Sequence, residues 1–131
     1  MTKIFFSLLT IVVCISSKSQ MKQRELKVKY VNPYISTITQ IRCDSFESSF
    51  NIQIKDKEIT DPLMVTAIEK ELKSIIYAKV NTSIDVRSKF TFLSNNEVIT
   101  ICFNGLNAVL VNNRRIKKSN RLNKLLSDCM K

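Results

Sequence analysis

The sequence predicts an α+β fold: a single antiparallel β-sheet with one long amphipathic helix, about residues 62–79, packed on a face and a short C-terminal helix, about residues 120–129. Three observations carry that prediction. Apolar residues recur at helical spacing behind a capping Asp61-Pro62. Several other segments alternate apolar and polar residues, as half-buried strands do. Short Asn-rich turns separate those segments, and short turns join antiparallel neighbours.

Taken in order, residues 20–25 are polar and basic. Leu26-Lys27-Val28-Lys29-Tyr30 then alternates as a strand, which Asn32-Pro33 interrupts because Pro lacks the ladder donor. Residues 34–43 are rich in Ile and Thr and read as a strand. Phe46, Phe50, Ile52 and Ile54 share one parity, which suggests another over residues 49–55. In the long helix, Asp61 caps the first turn and Pro62 suits the first helical position. Met64, Ala67, Ile68, Leu72, Ile75 and Ile76 form its apolar stripe, and Glu69 and Lys73 pair at i,i+4 on the other side. Ile84, Val86, Phe90 and Phe92 then fall on one strand face, with Asp85, Arg87, Lys89 and Thr91 on the other. Residues 98–103 form a strand after the Ser94-Asn95-Asn96 turn. Asn104-Gly105 reads as a hairpin turn into residues 106–111, followed by an Asn112-Asn113 turn and a short edge piece. Ser119 caps the last helix, whose stripe is Leu122, Leu125, Leu126 and Cys129.

The first nineteen residues read as an address. Lys3 is followed by twelve uncharged residues, Ile4 to Ile15, and then by Ser17 and Ser19 at the small-residue positions that precede a cleavage site at Gln20. The apolar run is shorter than the ~20 residues that span a bilayer. The division expected is therefore a signal peptide over 1–19 and one small α+β domain over 20–131, exported to a periplasm or secreted. Ile11-Val12-Val13-Cys14 also resembles a lipoprotein signal anchored through Cys14, although Val13 stands where such signals carry Gly, Ala or Ser. Export brings an oxidising compartment, so a disulfide is expected among Cys43, Cys102 and Cys129, with the pairing left open.

Composition excludes much chemistry. The 131 residues include no His, which removes His triads and His metal sites. A single Gly leaves no room for a phosphate-binding loop or a dinucleotide fingerprint. No CxxC spacing is present, and no base stands ready to activate a cysteine. The close acid pairs, Asp44 with Glu47, Asp56 with Glu58 and Glu69 with Glu71, show no sign of converging on a cleft. Asn81-Thr82-Ser83 matches the N-glycosylation pattern. Neither a metal nor a cofactor is expected.

What remains is charge. Lys+Arg 21 against Asp+Glu 11 gives +10. Arg114, Arg115, Lys117, Lys118, Arg121 and Lys124 lie together with no acid among them, a pattern that attracts an anionic polymer, an anionic membrane surface or an acidic protein partner. No aromatic residue interleaves the cluster, so nucleic acid is the poorer fit. The expected function is a non-enzymatic binding domain using these six residues. A second class is an inhibitor-like or scaffold module that binds through the sheet face or hairpin tips, resembling cystatin-like modules in architecture alone.

Overall fold

A computed structural model describes residues 24–94 and 96–131; the expected signal peptide and Cys14 lie outside them. The chain forms one six-stranded antiparallel sheet with helices, the predicted α+β class. Strands β1 (Glu25–Tyr30), β2 (Lys55–Ile59), β3 (Ser88–Ser94), β4 (Glu97–Phe103), β5 (Val109–Val111) and β6 (Arg114–Arg115) lie in the order β2-β1-β3-β4-β5-β6. Helix α1 (Phe46–Phe50) lies between β1 and β2, α2 (Pro62–Lys73) between β2 and β3, and α3 (Asn120–Cys129) at the end.

Register turns the alternation into a core. Val28 pairs with Phe90, Phe90 with Ile101, and Ile101 with Val111, so one apolar row crosses four strands. Ile59, Leu26, Phe92 and Ile99 make a second row. Both rows face α2 and α3, which bury Val65 and Ile68, and Leu122, Leu126 and Cys129, against them. Asp61 Oδ1 accepts from Leu63 N and Ser119 Oγ from Leu122 N, so both helices start where their caps predict.

The opposite face is covered by the excursion between β1 and β2. These strands are adjacent, yet residues 31–54 join them by crossing the back of the sheet. Val31, Ile41, Cys43, Phe46 and Phe50 pack there on Ile84, Val86, Cys102, Ala108 and Leu110. Arg87, only 5% exposed, organises this cover. Its guanidinium donates to both carboxylate oxygens of Asp85 at 2.8 Å, to the carbonyls of Val86 and Ile35, and to Thr37 Oγ1. Asp85 Oδ1 also accepts from Ile41 N at 2.8 Å, and Val86 N donates to the Ile41 carbonyl at 2.9 Å. Cys43 and Cys102 are disulfide-bonded with Cα atoms 5.9 Å apart, which ties the cover to β4.

Five expectations change. Residues 34–43 form no strand; their polar backbone is satisfied by Arg87, by Asp85 and by Asn32 Oδ1, which accepts from Tyr34 N. The strand expected over 49–55 is the end of α1, a 3-10 turn and the start of β2. A spacing of four fits both an even strand parity and one helical turn, and Phe46 and Phe50 use the helical option, with ring centroids 5.5 Å apart. Ile84 and Val86 pack on the second face while Phe90 and Phe92 pack on the first, because β3 begins only at Ser88. The long helix stops at Lys73 rather than Lys79, since residues 76–78 are captured by the far sheet edge. Finally, Asn104-Gly105 opens a wider loop instead of a two-residue hairpin. Asn104 Oδ1 accepts from the backbone N–H groups of Leu106, Asn107 and Ala108. Gly105 takes φ +86°, and a Cβ there would sit 2.6 Å from Pro33 Cβ.

The disulfide closes a separation of 59 residues, for which chain entropy gives about 4 kcal/mol of stabilisation. Reduction is expected to lower the urea midpoint. It should also raise amide exchange first in residues 31–50, while β1 and β3 under α2 stay protected. Uniform loss of protection would contradict the assignment of the disulfide to the cover.

Candidate functional site

The predicted basic cluster lies along the β6 edge and the start of α3. Its geometry begins at the Asn112-Asn113 turn, where both residues take positive φ, 49° and 64°. The Asn112 side chain accepts from Thr100 N at 3.0 Å, extending the β4–β5 ladder. β6 then pairs Arg114 with Val111 and Arg115 with Leu110.

Residues 76–78 flank this edge. Tyr77 bridges Ile116 in antiparallel fashion; Lys117 N donates to the Ile76 carbonyl at 2.7 Å and Ala78 N to the Arg115 carbonyl at 2.9 Å. Two β-branched residues, Ile75 and Ile76, give weak support to a continued helix, and this pairing supplies an alternative. Asn81 completes the join: its Oδ1 accepts from Arg115 N at 2.8 Å and its Nδ2 donates to the Asn113 carbonyl at 3.3 Å. Both ends of the side chain in the Asn81-Thr82-Ser83 pattern are thus engaged within the fold.

The six cations are not equivalent. The Arg114 guanidinium lies 4.0 Å from the Tyr77 ring centroid, a cation–π contact. Arg121 pairs with Glu71 of α2 at 3.1 Å. Arg115 is half-buried, held by its backbone. Lys117, Lys118 and Lys124 are exposed and have no ion pair among the described residues. The edge therefore divides into two side chains occupied with the fold, the half-buried Arg115, and three lysines open to solvent.

The acid pairs are engaged separately. Asp44 meets Arg42, Glu47 meets Lys89, Asp56 meets Lys29, and Glu69 meets Arg24 and Lys73. Among the described residues no three His, Cys, Asp or Glu side chains gather to hold a metal ion. A cleft of about 320 Å³ lies beside the disulfide, lined by Arg42, Asp44, Thr82, Ser83 and Asn113 among others. The pair among the three candidate cysteines is Cys43–Cys102, and Cys129 is the free one. Burial pushes its thiol up to about 11; Lys57 opposes the rise and Asp128 adds to it.

Sequence reasoning missed three participants. Tyr77 is distant in the chain, so the cluster looked free of aromatic contact. Arg87 looked like a solvated strand residue and is a buried one. Ile76 looked like a core residue of a longer helix and is exposed. A legible signal was available for the edge: residues 72–84 and 98–127 each lack any acid, and these are the segments that meet there. No protein-family model matches this chain, and no curated protein or solved structure shows significant similarity to it.

At neutral pH, native Cys129 is expected to alkylate at least tenfold more slowly than in urea, because its thiolate is scarce and its sulfur buried. Mass spectrometry of iodoacetamide adducts over time checks this. Equal rates in both conditions would place the thiol at the surface.

Proposed function

We propose that this protein is a non-catalytic binding domain that engages an anionic surface or partner through its basic β6–α3 edge. The observation that carries the reading is the set of three exposed lysines, Lys117, Lys118 and Lys124, without carboxylate partners on an edge that Arg114–Tyr77 and Arg121–Glu71 contacts hold in shape. Like charges gathered without counter-charges cost self-repulsion, which an incoming anion relieves. A chain without His, whose free thiol is buried and held protonated, also favours binding over turnover.

The domain is proposed to work outside the cytoplasm. The supporting observations are the leader pattern ahead of Gln20 and the Cys43–Cys102 disulfide, a bond that persists in oxidising compartments. No described helix is long and apolar enough to cross a membrane.

Changing Lys117, Lys118 and Lys124 together to Ala is expected to bring elution from a heparin column to lower salt. It should also reduce the slope of log affinity against log salt by about 2 to 3. Arg114→Ala should act instead on stability, through Tyr77. Unchanged elution of the triple-lysine variant would sink the reading. The intact mass of protein isolated from its host is expected to start at Gln20 and to rise by two hydrogens on reduction. A start at Cys14 with added acyl chains would instead make it a tethered lipoprotein.

A further inference from the structure

The basic edge has an apolar component that binding to a hydrophilic polyanion does not require. Tyr77 pairs with Ile116, so Ile76 stands opposite Lys117 and Ala78 opposite Arg115. In an antiparallel pairing, opposed residues share a side, which places Ile76 and Lys117 together on the outward side. Ile76 is 61% exposed and Val80, on the same segment, 69% exposed, with Lys79 between them also exposed. Of the other exposed apolar residues, Ile38, Ile52 and Leu63 stand singly, which is ordinary for a protein surface, and Leu93 and Val98 face each other across β3 and β4 next to Glu97. Ile76 and Val80 differ in standing within one short segment, beside lysines, where both contributing stretches of chain lack acids from 72 to 84 and from 98 to 127.

Apolar side chains set beside exposed lysines that have no carboxylate partner among the described residues match the two layers of an anionic bilayer. Lysines meet lipid phosphates at the surface, and the apolar groups enter at the headgroup–acyl boundary. We infer that this edge docks peripherally on an anionic lipid bilayer, with Ile76 and Val80 entering the interface and Lys79, Lys117 and Lys118 on the headgroup phosphates. The inference rests on the basic edge being the binding surface and adds that the anionic partner is a membrane.

The test is co-sedimentation with vesicles of phosphatidylcholine containing 30% phosphatidylglycerol, against pure phosphatidylcholine, with heparin elution measured on the same samples. Wild type and variants are compared as full-length chains, so that the N-terminal apolar run contributes equally to each. The exposed positions of the substitutions leave the core intact, and matching circular dichroism and melting curves verify the fold. Ile76→Ser with Val80→Ser is expected to weaken binding to anionic vesicles about tenfold while heparin elution stays unchanged. Lys79→Ala with Lys117→Ala and Lys118→Ala should weaken both, by about fivefold per lysine on vesicles. If the apolar variant binds anionic vesicles as wild type does, or wild type binds them no better than neutral ones, the membrane inference is overturned. Heparin elution that still responds to the lysines would leave the basic-edge reading standing; elution that responds to neither variant would remove both.

Discussion

One buried guanidinium holds the back of this sheet closed. Arg87 lies where the chain enters β3, and its hydrogen bonds reach the carboxylate of Asp85 and the backbone of the covering segment at Ile35. A cation removed from water is costly unless its donors are matched; here the carboxylate, two carbonyls and a hydroxyl meet the two terminal nitrogens, while buried Nε has no partner among the described residues. The Phe50 ring also lies 5.4 Å from the guanidinium carbon. The planar fork of Arg suits this convergence in a way a Lys ammonium does not. Without it, the carbonyl of Ile35 would lose its partner, the Thr37 hydroxyl would keep only its bond to the Thr39 carbonyl, and the excursion from 31 to 54 would have few polar ties to the sheet.

The disulfide and Arg87 do different work on the same cover. The Cys43–Cys102 bond limits how far the excursion can wander when the chain is open, a constraint on the unfolded state. The Asp85–Arg87 pair sets the conformation in the folded state, because Arg87 holds the backbone at Ile35 while Asp85 holds it at Ile41. Together they let a short α1, too short for stability on its own, present Phe46 and Phe50 to the second core.

The distal edge of the sheet follows a different logic. An exposed edge strand invites pairing with other chains, and β6 is only two residues long. The segment after α2 covers part of it through the Tyr77–Ile116 bridge, and the surrounding lysines discourage further strand addition. That cover is also what turns Ile76 out of a helix stripe and toward solvent beside Lys117. The same local pairing thus protects the edge and shapes its chemistry. At the opposite edge, β2 reads Lys-Asp-Lys-Glu-Ile, with charges of both signs, so the two edges present different electrostatics.

By itself the sequence determined the α+β class, the starts of α2 and α3 and the first core. Each of these depends on local signals: capping residues, alternation and stripes that face one covered side. Leu26, Val28, Phe90, Ile101 and Leu126 were readable because burial on one side only leaves a period in the sequence. The basic cluster was legible as composition, although which of its cations are free was not. Only tertiary structure decided the cysteine pair, the burial of Arg87, the end of α2 at Lys73 and the exposure of Ile76. Each of these results from a contact between residues distant in the chain. Where the sheet is covered on both faces the alternation vanishes, as at Ile101-Cys102-Phe103, and where an edge captures a helix end, pairing outweighs the helical stripe.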